Sequence, residues 1–171
     1  LSHVVGSKGK VYLHNNNAYL PYVKKQLEKR LANGRLKNVI RHDKETDNLG
    51  FKKESLDAIF YIMGYHDIYH VVPGWKIEKE GFLNQLHTAL KKGGKMVVID
   101  HDAAANTGTK SSQELHRIEE SYVIQELKQR GFALSGSSDV LKNPKDDFNI
   151  SALDKKVRGK TSRFVLVFEK T

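Results

Sequence analysis

A doubly wound α/β fold, with a mostly parallel sheet and an antiparallel strand pair at its carboxyl end, is the architecture this sequence predicts. Three observations predict it. Short apolar runs rich in β-branched residues alternate with longer stretches whose apolar residues recur at helical spacing. Glycine or asparagine stops punctuate the helical stretches. The last two apolar runs, Phe132 to Ser138 and Arg163 to Glu169, have no helical stripe between them, so they are expected to pair antiparallel.

Leu1 to Val5 reads as the end of a helix, and Lys10 to His14 (KVYLH) as the first strand. Gly6 and Gly9 precede that strand, so they are not a phosphate-cradling loop, which follows a strand and opens a helix. Asn15, Asn16 and Asn17 lead into a helix from about Ala18 to Ala32, with Leu20, Val23, Leu27 and Leu31 as its apolar stripe and Asn33-Gly34 as its stop. Leu36 to Arg41 is the next strand, and His42 to Ser55 a polar loop. Leu56 to Met63 is the most strand-like run in the chain. Gly64 to Gly74 follows as a loop that holds His66, Asp67 and His70. Leu83, Leu86, Ala89 and Leu90 mark another helix, which Gly93-Gly94 is expected to end. Met96 to Ile99 reads as a strand covered on both faces. Asp100-His101-Asp102 lies just past its carboxyl end, the edge where open α/β sheets bind ligands. Asp102 to Ser112 is a polar loop, and Glu119 to Arg130 the last helix, ended by Gly131.

At 171 residues one domain is expected, and 39% hydrophobic with 29% charged residues describes a soluble globular chain. The longest apolar run is too short to span a membrane, and no signal peptide is visible. The absence of cysteine excludes disulfides, thiolate nucleophiles and cysteine-based zinc sites. Lys and Arg total 29 against 20 Asp and Glu, a net charge of +9. These cations are spread over helices and loops without a basic block, which argues against a nucleic-acid partner.

Taken in order, GKVYLHN, VIRHDKET, ESLDAIFYIMGYHD, ALKKGGKMVVIDH, LHRIEESYVIQELKQRGFAL and RFVLVFEK resemble successive landmarks of the class I S-adenosylmethionine-dependent methyltransferases. Within that family the HD loop, LHRI and VRGKTSRF resemble a bacterial group described only as predicted methyltransferases. The resemblance implies a Rossmann-like sheet, S-adenosylmethionine as cofactor and a small or medium molecule as methyl acceptor. It also implies an N-terminally truncated chain, since the family's glycine-rich first motif and central first strand have no counterpart here. In that fold the first strand lies between the second and fourth, so its absence leaves two unpaired inner edges. Direct pairing of those strands, or a segment from another copy in a homo-oligomer, is the expected remedy.

The resemblance assigns roles to particular residues. Asn15 and Asn16 lie where the family ordinarily has the acid that binds the ribose, and Asp43 where a carboxylate commonly contacts adenine. Three consecutive Asn also suit a helix cap and turn, and Asp43 an acidic loop. His66 and Asp67 follow the strand whose end faces substrate, which makes them catalytic candidates. His101 is the preferred general base, because an unperturbed imidazole pKa of ~6.5 lies near working pH; its bland alternative is packing while Asp100 caps the loop. Asn15, Asp43, His66 and His101 are expected to converge on one cleft. His66 and His70, four apart with Asp67 between, would suit a metal on a helix, but three residues on one loop are weak evidence and no metal ligand is assigned. Arg117 is expected to pair with Glu119 or Glu120, and Tyr61, Tyr65 and Tyr69 to pack in the core or line a pocket. Two rival functions share these residues: a catalytically inactive methyltransferase-like binding domain, and a metal-dependent hydrolase using His66, Asp67, His70 and His101.

Overall fold

Val11, Leu13, Val39 and Ile40 favour extended backbone. In the computed structural model, which describes residues 1–171, they lie in two parallel strands. The chain divides into two compact units, Leu1–Gly50 and Phe51–Thr171. The first holds helix α1 (Ser2–Val5), strand β1 (Val11–Asn15), helix α2 (Leu20–Leu31) and strand β2 (Val39–Asp43). Strands β1 and β2 pair from Val11↔Val39 to Asn15↔Asp43, and α2 is the crossover that parallel neighbours require. Pro21 sits in the first turn of α2, where its missing N–H costs nothing. Asn33 (φ 57°) and Gly34 (φ 61°) end the helical stretch in left-handed conformation. β2 starts at Val39 rather than Leu36, because the Val39 N–H closes a turn onto the Leu36 carbonyl.

The second unit carries strands β3 (Leu56–Ile62), β4 (Leu90–His101), β5 (Phe132–Ser138) and β6 (Arg163–Lys170), with helices α3 (Lys79–Ala89), α4 (Ser112–Leu115) and α5 (Glu120–Gln129). Its sheet runs β3-β4-β6-β5, with β3 parallel to β4 and β6 antiparallel to both neighbours. The antiparallel terminal pair is as expected. The four strands expected in one parallel sheet instead form two ladders. β1 and β3 each stand at the end of their own ladder, and pairing of those strands was one of the two remedies expected.

On β4, Met96, Val98 and Asp100 oppose Phe168, Leu166 and Phe164 of β6, and all six are fully buried on one face. Val97 and Ile99 point the other way and are only half-buried. Coverage therefore alternates along β4, where equal burial on both faces was expected. Phe82, Leu83, Leu86 and Ala89 of α3 and Val123 and Leu127 of α5 are buried as well. Each large apolar side chain in this core contributes roughly 1.5–3 kcal/mol.

The glycine pair has a different role from the one expected. α3 ends at Ala89, before Gly93-Gly94, and β4 begins at once with Leu90 at φ −74° and ψ 136°. Long-range bonds make this early stop favourable by satisfying the helix's last carbonyls. The Glu54 and Ser55 N–H groups donate to the Thr88 and Ala89 carbonyls at 2.9 and 2.8 Å. The buried Lys170 ammonium donates to the Leu90 carbonyl at 2.8 Å. The glycines form a bulge in the ladder instead: Leu56 faces Leu90, but Ala58 already faces Lys95. Gly93 takes φ 72°, and a Cβ on Gly94 would come within 2.8 Å of the Leu90 side chain.

Arg117 is fully buried, and a buried guanidinium has to be paired and hydrogen-bonded. Its partner is Asp146, held by two nitrogens at 2.8 and 2.9 Å, not the expected Glu119 or Glu120. Its remaining donors reach the Asp102 and Ile150 carbonyls. Glu119 instead accepts from the Gly108 N–H, and Glu120 from Lys142. The pairing ties the long polar connection between β5 and β6 to the end of β4. Arg117→Ala should lower the unfolding free energy by ~3–5 kcal/mol, read as a fall in the urea midpoint, because Asp146 is left charged without its counter-ion. Burial by itself would raise the Asp146 carboxyl, but hydrogen bonds from Arg117 and the Ser162 N–H outweigh it and hold it below its usual value. A carboxyl lowered on folding stabilises fully above its unfolded value of about 3.9 and loses that contribution as pH falls. Arg117→Ala should therefore also flatten the acid limb of the stability profile.

Candidate functional site

In the first unit, parallel register brings Asn15 and Asp43 together as the last residues of adjacent strands. Asn15 Nδ2 and Asp43 Oδ1 are both buried without a hydrogen-bond partner. Such orphaned atoms are rare in native structures, and each one calls for an explanation. One donor and one acceptor beside each other at carboxyl strand ends fit the amide and hydroxyl edges of a nucleoside. The other Asp43 oxygen is engaged by Arg41. Asn16 is differently placed: its Oδ1 accepts from the Tyr19 N–H at 3.0 Å and closes the turn into α2.

In the second unit, the end of β3 is held in an unusual conformation. Met63 has φ 56°, where a long side chain is disfavoured, and its N–H donates to the Ile99 carbonyl at 2.8 Å. The chain then makes a 3₁₀ turn over His66–Tyr69. Asp100, fully buried on β4, organises that turn. Its Oδ2 accepts from the His66 N–H at 2.8 Å, and its Oδ1 from the His101 N–H at 2.7 Å. His66 Nδ1 lies 2.8 Å from the same Oδ1, and His66 Nε2 lies 3.2 Å from Asp67. The rings of His101 and His116 approach that of His66 at 5.9 and 5.4 Å.

His66 and His101 differ in charge. Burial would lower the His66 imidazole, but its bonds to Asp100 and Asp67 outweigh this and raise it to about 10. Burial lowers His101 to about 4, so it stays neutral across the ordinary pH range. Thr161 Oγ1 lies 2.7 Å from His101 Nδ1 and fixes the ring. Burial would raise Asp67, yet His116 and His66 hold it well below the usual carboxylate range. Beside this cluster Glu126, also buried, accepts from the Tyr65 and Tyr69 hydroxyls at 2.7 and 2.6 Å and faces Lys79 and Arg130. It also lines a hollow of about 460 Å³.

Within the second unit His66, Asp67 and His101 thus share one neighbourhood, and within the first Asn15 and Asp43 are adjacent. His70 is turned toward the Gln113 carbonyl and stacks on His116 at 4.6 Å. Three participants escaped the sequence reading. Glu126 carried a signal, since a charged residue lies at helical spacing between Val123 and Leu127 on the apolar stripe. His116 reaches Asp67 from a left-handed backbone position (φ 51°) that no spacing marks, and Thr161 arrives from the far end of a polar connection.

No family model and no curated protein matches this chain. Solved structures do. The fold is similar to that of an S-adenosylmethionine-dependent methyltransferase from Aquifex aeolicus, at 18% identity and a TM-score of 0.66 over 99% of this chain and 73% of that one. A Methanosarcina mazei methyltransferase of the same dependence aligns at 10% identity and TM-score 0.59, over 93% of this chain and 82% of its own. Geranyl diphosphate methyltransferase in complex with S-adenosylmethionine aligns at 10% and 0.59, over 95% of this chain and 69% of its own. The architecture is a class I methyltransferase-like α/β fold. No helix is long and apolar enough to cross a membrane.

The Thr161 contact gives a direct check. Thr161→Val leaves the buried His101 Nδ1 without a partner and should cost ~1–3 kcal/mol in urea unfolding. Thr161→Ser keeps the hydroxyl and should recover most of that loss.

Proposed function

We propose that the chain is an S-adenosylmethionine-dependent methyltransferase acting on a small or medium molecule. The observation that carries the reading is the buried, unanswered pair Asn15 Nδ2 and Asp43 Oδ1, in a fold that solved methyltransferases share. The bound cofactor would supply a sulfonium methyl group to the acceptor. Asp43 Oδ1 would accept from the adenine amino group, and Asn15 Nδ2 would donate to the ribose. An amide there gives a weaker bond than the carboxylate the family ordinarily uses.

Methyl transfer asks for alignment first and sometimes for a proton acceptor. His101 is assigned that second task. It sits at the carboxyl end of β4 and Thr161 holds its orientation; burial lowers its ring to about 4 instead of leaving it near the expected ~6.5, so it is neutral but a weaker base than the sequence implied. His66 is assigned to substrate positioning, because Asp100 and Asp67 already engage its two nitrogens.

Calorimetric titration of the chain with S-adenosylmethionine tests the cofactor assignment. Asp43→Ala should weaken binding by ~1.5–3 kcal/mol, the range for a hydrogen bond to a charged group. It should leave thermal stability unchanged or raised, because an unsatisfied buried oxygen is removed with it. A loss of both binding and stability would show a structural carboxylate instead. Once an acceptor is in hand, His101→Ala should lower kcat by ~10²–10⁴-fold with little change in cofactor affinity. Turnover at the wild-type rate would remove His101 from the chemistry.

A further inference from the structure

Three side chains of the second unit bring possible ligand atoms close together. His66 Nε2 lies 3.2 Å from Asp67 Oδ1, and His116 Nδ1 lies 3.8 Å from the same oxygen. All three ligand atoms fall within 4.8 Å of one another. A zinc-class cation bound tetrahedrally at ~2.0–2.1 Å separates its ligand atoms by about 3.3 Å. One pair already stands near that spacing, and the other two are at 3.8 Å and within 4.8 Å. Two imidazole nitrogens and one carboxylate oxygen suit divalent zinc, cobalt or nickel better than the hard, oxygen-seeking magnesium and calcium.

A second observation points the same way. A metal-bound histidine almost always donates its other ring N–H to a carboxylate, backbone carbonyl or water, which fixes the tautomer and turns the free nitrogen to the metal. Asp100 does this for His66. Its Oδ1 lies 2.8 Å from Nδ1, and the carboxylate is itself fixed by the His66 and His101 backbone N–H groups. That leaves Nε2 facing Asp67. A third observation concerns His116, which adopts φ 51° and ψ 48°. A left-handed backbone costs a non-glycine residue ~1–2 kcal/mol, so something must hold it there. The fully buried Arg117 and Ile118 that follow anchor the segment, and the turn swings the imidazole toward Asp67.

We infer that His66 Nε2, the Asp67 carboxylate and His116 Nδ1 hold one divalent transition-metal cation of the zinc class, with Asp100 as the positioning residue behind His66; the cation displaces to solvent the proton that Nε2 otherwise shares with Asp67. Three protein ligands leave a fourth position for an oxygen donor, the pattern of catalytic rather than structural zinc. Side-chain exposures of 22% for Asp67 and 19% for His116, against 5% for His66, leave that position open to solvent. Metal binding needs no methyl donor, so its test is separate from that of the proposed methyl transfer, although both readings use His66 and a bound cation would replace its contact with Asp67.

The test uses the full chain, stripped with a chelator and dialysed, then titrated with Zn²⁺ by calorimetry and with Co²⁺ by visible absorption, without S-adenosylmethionine. One cation per chain is expected, with the intense visible bands of four-coordinate Co²⁺. His116→Asn should weaken binding by more than ~100-fold; asparagine tolerates the left-handed backbone, so the fold is retained while the ligand nitrogen is lost. Asp100→Asn should weaken binding ~10–100-fold, as loss of a positioning carboxylate does. Circular dichroism reports whether either variant remains folded, and Asp67→Asn supplies a second, independent ligand deletion. His3→Ala, on the first helix, should bind as the parent does. Failure of the parent chain to bind either metal would overturn the inference. So would unchanged affinity in both His116→Asn and Asp67→Asn, which would assign the cation to scattered surface histidines.

Discussion

Asp100 is the constraint on which the second unit's strand-end cluster depends. A carboxylate with no exposed surface must have its oxygens answered from within the protein, because an uncompensated buried charge costs several kcal/mol. Two backbone N–H groups and the His66 ring provide the answer, and His66 lies 34 residues from Asp100 in the chain. The turn after β3 is thereby fixed to the end of β4. The left-handed Met63 and the orientation of His66 are tolerated within that arrangement. Local preference alone would favour neither.

Two further buried charges work in the same manner. Arg117 draws the connection between β5 and β6 against β4 through Asp146, and Glu126 gathers Tyr65, Tyr69, Lys79 and Arg130 around α5. The apolar face of Met96, Val98, Leu166 and Phe168 supplies the driving force for burial but says little about which loop goes where. Position is set by the polar groups, since hydrogen bonds and charge pairs have direction and apolar contacts do not.

The regular elements were legible because periodicity reports which face of an element is buried. Helix α5, the antiparallel β5–β6 pair and the strand end at Asp100 all follow from it. The helix stop at Ala89 was not legible, because it depends on Glu54, Ser55 and Lys170, remote donors that no local pattern includes. Arg117 was misread for the same reason: Glu119 and Glu120 were near in sequence, while Asp146 was near in space. Of the candidate site, Asn15, Asp43, His66, Asp67 and His101 could be picked out as polar residues following strands. Their partners Thr161 and His116 could not, since an irregular connection and a left-handed residue leave no periodic trace. Asn16 illustrates the reverse case, where one residue type suits two tasks and its visible bond is a turn.

The bulge at Lys91 to Gly94 gives β4 a reserve of adjustable length. Side chains alternate along a strand, so a slip of one residue exchanges every inward position for an outward one. For β4 that slip would turn Asp100 out of the core and put His101 in its place. Helix α3 runs into β4 with no intervening loop, and an insertion in the helix would otherwise shift the strand's phase directly. Between Leu90 and Lys95 the ladder already carries surplus backbone, with Lys91, Lys92 and Gly93 exposed. A change of one residue there can be taken up at the surface, so the helix is free to drift in length while the phase of Asp100 is kept.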